Sequence, residues 1–124
     1  MSDHGRPRVL LGDLDPIARL GMIAVLEEDG IDVIGEEERP EALVLVTGRL
    51  RPDAVVLDLD NPAARTLAER VRAASPATTV VLWARDEDAM EVLDPGAAAP
   101  RRFFDGLLEQ LRDELRAVAG RTAE

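Results

Sequence analysis

Ala54-Val55-Val56-Leu57-Asp58-Leu59-Asp60-Asn61-Pro62 is a short apolar run that ends in a carboxylate and then breaks. Four apolar residues without polar alternation suit a strand buried on both faces, as in a parallel sheet. Asn61 before Pro62 reads as a helix start, a capping side chain followed by a residue whose missing N–H costs nothing in the first turn. Val9-Leu10-Leu11-Gly12-Asp13-Leu14-Asp15-Pro16 repeats the design earlier in the chain. Two such strands side by side set Asp13 and Asp58 together at one rim of the sheet. In an open α/β sheet that rim is where ligands sit, at the point where strand order reverses.

The same alternation of buried runs and amphipathic stretches extends in both directions. Arg8 to Gly12 is the first predicted strand. The helix after it is capped by Asp15 and presents Ile17, Leu20, Ile23, Ala24 and Leu26 as its apolar face. Gly30 ends that helix, and Asp32 to Gly35 is the second strand. A helix over 40–50 buries Ala42, Leu43, Val46 and Leu50. The third strand is Ala54 to Leu57, and the helix begun at Asn61-Pro62 runs to about Ala74. Thr79 to Trp83 is the fourth strand, and Asp86 caps a short helix to about Leu93. Gly96-Ala97-Ala98-Ala99-Pro100 is left as a poor fifth strand, because Pro100 cannot donate to a ladder. Phe104, Leu107, Leu108, Leu111, Leu115 and Val118 form one apolar stripe of a final helix. The expected fold is a doubly wound, five-stranded parallel sheet in the order 2-1-3-4-5, flavodoxin-like. It forms a single domain over 1–124, with polar tails at 1–7 and 120–124.

Composition narrows the chemistry. All 15 basic residues are arginine, there is no cysteine, and His4 is the only histidine. Thiolate and histidine metal sites are excluded, as is a Ser-His-Asp hydrolase resting on His4 in its polar terminus. A net charge of -10 argues against direct contact with nucleic acid, which needs a basic face. No apolar run approaches membrane-spanning length, so the expected location is the cytoplasm.

The Asp13 and Asp58 segments resemble the receiver domain of bacterial response regulators, over nearly the whole chain. The likeness is nearest to receivers of regulators that carry a LuxR-like DNA-binding domain. The resemblance implies a two-component phosphorelay, with Asp58 as the phosphoacceptor, Pro62 four residues on as part of the pattern, and Mg²⁺ held by Asp13, Asp58 and Asp60. Such a phosphoprotein takes its phosphoryl group from a histidine kinase. Three positions depart from the pattern. Leu14 stands where a second acid binds the metal. Trp83 stands where Thr or Ser bonds the phosphoryl group. Arg102 falls on the lysine position.

Phosphoryl transfer to a carboxylate needs a metal to neutralise charge and fixed donors to hold the oxygens. The sequence therefore reads as an atypical receiver, or pseudo-receiver, that is not an enzyme and signals through protein contacts with a kinase, a regulator or a second copy. A homodimer is expected through the surface of the last helices and strand, with Arg101, Arg102 and Arg112 near Glu109, Asp113 and Glu114. Two alternatives stand beside it. One is a working receiver phosphorylated on Asp58. The other is a ligand-binding or haloacid-dehalogenase-like phosphatase domain using the Asp13/Asp58/Trp83 crevice.

Overall fold

The computed structural model describes residues 6–12, 14–84, 89–104 and 107–122, with side chains of the last helix described over 109–118. In chain order the elements are β1 (Arg8–Leu11), α1 (Pro16–Glu28), β2 (Asp32–Glu36), α2 (Pro40–Leu50), β3 (Ala54–Asp58), α3 (Ala64–Ala74), β4 (Thr79–Ala84), β5 (Ala89–Leu93), β6 (Arg101–Phe104) and α4 (Leu107–Thr122). The strands form one six-stranded sheet in the order β2-β1-β3-β4-β5-β6. β2, β1, β3 and β4 run parallel to one another. β5 runs antiparallel to β4, and β6 antiparallel to β5.

The parallel half agrees with the sequence reading, and the other half corrects it. Ala89–Leu93 is a strand and not part of a helix, and the expected cap Asp86 lies outside the described residues. Met90 and Val92 are buried in one face of the sheet, while Glu91 and Leu93 turn to the other. This is the period of two that a strand imposes. The fifth strand is also not at Gly96–Pro100. Asp94-Pro95-Gly96-Ala97 is a tight turn, with Ala97 N–H donating to the Asp94 carbonyl at 3.0 Å and Gly96 at φ 77°. Pro at the second position and a left-handed Gly at the third suit a type II turn. The chain thus makes a hairpin-like return to an antiparallel edge strand, so the expected all-parallel, five-stranded order does not hold.

Alternate residues of the strands fill two cores. On one face, Val9, Leu11, Val56, Val81, Met90 and Val92 pack with Met22 and Leu26 of α1 and with Leu111, Leu115 and Val118 of α4. On the other, Leu10, Val55, Leu57, Val80, Leu82 and Leu93 pack with Leu43 of α2 and with Leu67, Ala68 and Val71 of α3. The predicted apolar face of α1 is partly wrong. Leu26 is buried, but Ile17 is 76% exposed and Leu20 70% exposed. Phe104 lies on β6, before the last helix, and is 63% exposed.

Gly12 closes the loop after β1 against β3, its N–H donating to the Val56 carbonyl at 2.8 Å. A Cβ there would overlap the Leu57 side chain and approach the Val56 carbonyl oxygen at 3.3 Å. Gly12→Ala is expected to destabilise by about 1 kcal/mol. Overpacking costs somewhat more than the smaller unfolded-state entropy returns. Chemical denaturation of the two proteins checks this, and equal stability would show that Leu57 moves aside freely.

Candidate functional site

The rim at the carboxyl ends of β1, β3 and β4 is built by the switch in strand order between β1 and β3. Asp58 is the last residue of β3, half-buried, and its Cα is in register with Trp83 on β4. Leu59 N–H donates to the Trp83 carbonyl at 3.0 Å, which continues the ladder one residue past the carboxylate. Asp58 Oδ1 accepts from Asp60 N–H at 2.9 Å, and the Asp58 carbonyl accepts from Asn61 N–H at 3.2 Å. These bonds fold the loop back over the carboxylate. Asn61 Oδ1 in turn accepts from Ala63 N–H at 2.9 Å and leads into α3.

Asp13 lies outside the described residues. Leu14 is 4% exposed and belongs to the α1/α4 core. The position that the receiver pattern gives to a metal ligand therefore points a hydrocarbon inward. Asp15 caps α1, its carboxylate accepting from Ile17 N–H and Ala18 N–H, each at 3.1 Å. Trp83 packs against the same core as Leu14, and its indole Nε1 is buried with no hydrogen-bond partner among the described residues. Asp60 is exposed. Among the described residues no three acids gather as a metal site requires. Mg²⁺ wants six near-octahedral oxygens; the described carboxylates of the loop after β3 are Asp58 and Asp60, and the buried Leu14 offers no oxygen from its side chain.

Arg102 is not directed at Asp58 as a lysine substitute. It sits on β6 with its Nε 3.3 Å from Glu91 on β5. Glu91 is buried, and Arg65 of α3 binds both of its oxygens, at 2.6 and 2.8 Å. No local signal in the sequence marks this trio, because its members are brought together only by the unforeseen β5. Arg101 and Arg112 are likewise engaged within the chain. Arg101 binds Asp94 and Glu114, and Arg112 binds Asp29. They are not the free charges that the expected dimer surface assumed.

Hydrogen bonding from Arg65 holds the Glu91 carboxyl below its ordinary value of 4.5 against the opposing effect of burial, and the Arg65 and Arg102 charges add to the lowering. A carboxylate depressed in this way contributes stability that is complete above its unfolded pKa and lost as pH falls through the folded one. The gap in denaturant midpoint between wild type and Glu91→Gln is therefore expected to be largest above pH 5 and to shrink toward pH 3. A gap that stays constant with pH would show that the ion pair contributes nothing.

No family model matches the chain, and no solved structure matches it. Curated relatives do. A protein-glutamate methylesterase/protein-glutamine glutaminase of Anaeromyxobacter dehalogenans is 33% identical over 127 aligned positions, covering 90% of this chain and 35% of that protein. One of the same name from Haloarcula marismortui is 32% identical over 96 positions, covering 73% of this chain and 26% of the relative. Another, from Alkalilimnicola ehrlichii, is 29% identical over 119 positions, covering 87% and 30%. The chain is a receiver-like domain of the response-regulator class, similar at low identity to part of these proteins. It spans about a third of the length of the relatives it matches. The expectation of a protein that is not an enzyme is corrected by the same finding, since every one of these relatives is named for an esterase and glutaminase activity. No helix among the described residues is long and apolar enough to cross a membrane.

Proposed function

We propose that this chain is an atypical receiver whose phosphoacceptor position, Asp58, lies in a degenerate site, and that it relays a signal by contact with proteins. The signal it serves is of the kind the relatives' names describe, modification of glutamate or glutamine side chains in a protein. The observation that carries the reading is the fate of Leu14. A receiver-like rim keeps Asp58 at the end of β3, while the neighbouring metal-ligand position has become part of the core. Trp83 in register with Asp58 supports it, because a bulky indole stands where a hydroxyl would hold a phosphoryl oxygen. The chain has no lysine to neutralise the remaining charge. Contact with a protein is supported by α1. Ile17 and Leu20 stand exposed on its first turns beside the Asp58 rim, a small apolar patch suited to a helical partner such as a kinase.

Incubation with Mg²⁺ and acetyl phosphate tests the degenerate site. The expected result is no mass increase of one phosphoryl group. A stoichiometric increase that disappears in Asp58→Asn would establish a working phosphoacceptor and overturn the reading.

A further inference from the structure

A strand, β5, where a helix was expected, with β6 beside it at the sheet edge, leaves a surface that the receiver-like reading does not use. On the α2/α3 side of the sheet, α3 is the last helix among the described residues. Beyond it, Glu91 faces Arg102 across the β5–β6 pair, and Phe104 is the next side chain of β6 on that side. These residues, with Arg65 of α3 and Leu59 and Pro62 from the loop after Asp58, line a groove of about 400 Å³.

The groove combines an excess cation with an apolar wall. Its charged lining residues are Arg65, Glu91 and Arg102, two guanidiniums for one carboxylate, in a chain whose net charge is -10. Arg65 already occupies both oxygens of Glu91. Arg102 lies against that carboxylate with Nε 3.3 Å away, and its two terminal nitrogens make no hydrogen bond among the described residues. The Arg102 side chain is 61% exposed, and the ring of Phe104 stands beside it in the same lining. A guanidinium fork next to an exposed aromatic ring suits a ligand that carries a carboxylate close to an apolar group. One surplus positive charge is too little for a nucleic-acid backbone, whose binding rests on neutralising several phosphates.

We propose that this groove docks an acidic, partly apolar peptide segment of a partner protein, with a partner carboxylate on the free nitrogens of Arg102 and a partner apolar side chain on Phe104. Glu91, bound by Arg65, holds Arg102 at its Nε edge, and the Arg102 side chain stays 61% exposed. The inference does not depend on whether Asp58 is phosphorylated.

The test is an NMR titration of the ¹⁵N-labelled chain with a heptapeptide of sequence Glu-Ser-Leu-Ser-Glu-Ser-Leu. In an extended strand its Glu and Leu side chains share one face. The expected result is saturable shifts at the Arg102 side-chain N–H and the Phe104 amide, weakened by salt and absent with a Lys-for-Glu peptide. Arg102→Ala and Phe104→Ala are each expected to weaken binding about tenfold, the effect of one good contact. Both side chains are exposed, so both variants should stay folded, Arg102→Ala with a small loss in thermal midpoint from its charge beside Glu91, and Asp58→Asn should bind as wild type does. Four results would overturn the proposal: no saturable shift, shifts centred elsewhere, affinity unchanged in both variants, or equal shifts from acetate alone. Sedimentation that shows self-association at this face, abolished by Arg102→Ala, would replace the partner segment by a second copy and overturn it as well.

Discussion

Leu14→Asp is expected to destabilise the fold by about 3–5 kcal/mol, although it restores the second acid of the receiver pattern. Two costs combine. The substitution removes a leucine side chain packed with Met22, Leu26 and the α4 residues, and it places a carboxyl where 4% of the residue meets solvent. A buried carboxyl with no cation beside it raises its own pKa and takes up a proton. The loss should therefore be greatest at neutral pH and partly relieved toward pH 4, since a raised carboxyl pKa costs stability only above its unfolded value. Leu14→Met, which keeps volume and polarity, should stay within about 1.5 kcal/mol of wild type. Urea denaturation at pH 7 and pH 4.5, with and without Mg²⁺, decides the matter. A loss below 1 kcal/mol, or full recovery with Mg²⁺, would mean that the side chain turns to the rim and that the metal position survives.

The contrast between legible and hidden parts of this chain follows from the range of the interactions involved. β1, β3 and β4 could be read because each is an apolar run buried on both faces and bounded by Gly, Pro, Asn or Asp. α2 was bounded correctly at 40–50, since Pro40 opens it and its apolar residues keep one period. Leu111, Leu115 and Val118 are legible as core of the last helix for the same reason. β5 was hidden because Ala89–Leu93 is too short to separate a strand from a helix turn by periodicity. What makes Glu91 acceptable at a buried strand position is Arg65, and no local rule connects the two. Two signals stand in the sequence: Pro95-Gly96, a turn pair at the start of the expected fifth strand, and the shortness of the segment between Trp83 and that turn. Ile17 and Leu20 are exposed against expectation because several rotations of α1 bury an apolar stripe, and the fold buries Met22 and Leu26 instead. At the rim, Asp58 at the end of β3 and Asp15 as a cap were readable from local pattern. The partner of Arg102 was not, since it depends on β5.

The second large effect is expected at Trp83. Trp83→Thr restores the hydroxyl of the receiver pattern at the position in register with Asp58. Removing a large aromatic side chain from a packed site costs about 3–5 kcal/mol. Against this stands the indole Nε1, buried with no partner among the described residues, an arrangement that costs about 1–3 kcal/mol while it lasts and is relieved by the substitution. The net loss should be about 2 kcal/mol. Trp83→Phe keeps most of the ring and discards the N–H, so it should lie within about 1 kcal/mol of wild type. The order of the two variants is the informative measurement. If Trp83→Phe is the less stable, the indole N–H has an acceptor in solution and the cost assigned to it is wrong. Trp83→Thr should also remain unmodified by acetyl phosphate, because Leu14 still occupies the metal-ligand position and the chain still has no lysine. Phosphorylation of this single variant would show that the indole alone closes an otherwise competent site, and the degenerate reading of Asp58 would reduce to one removable obstruction.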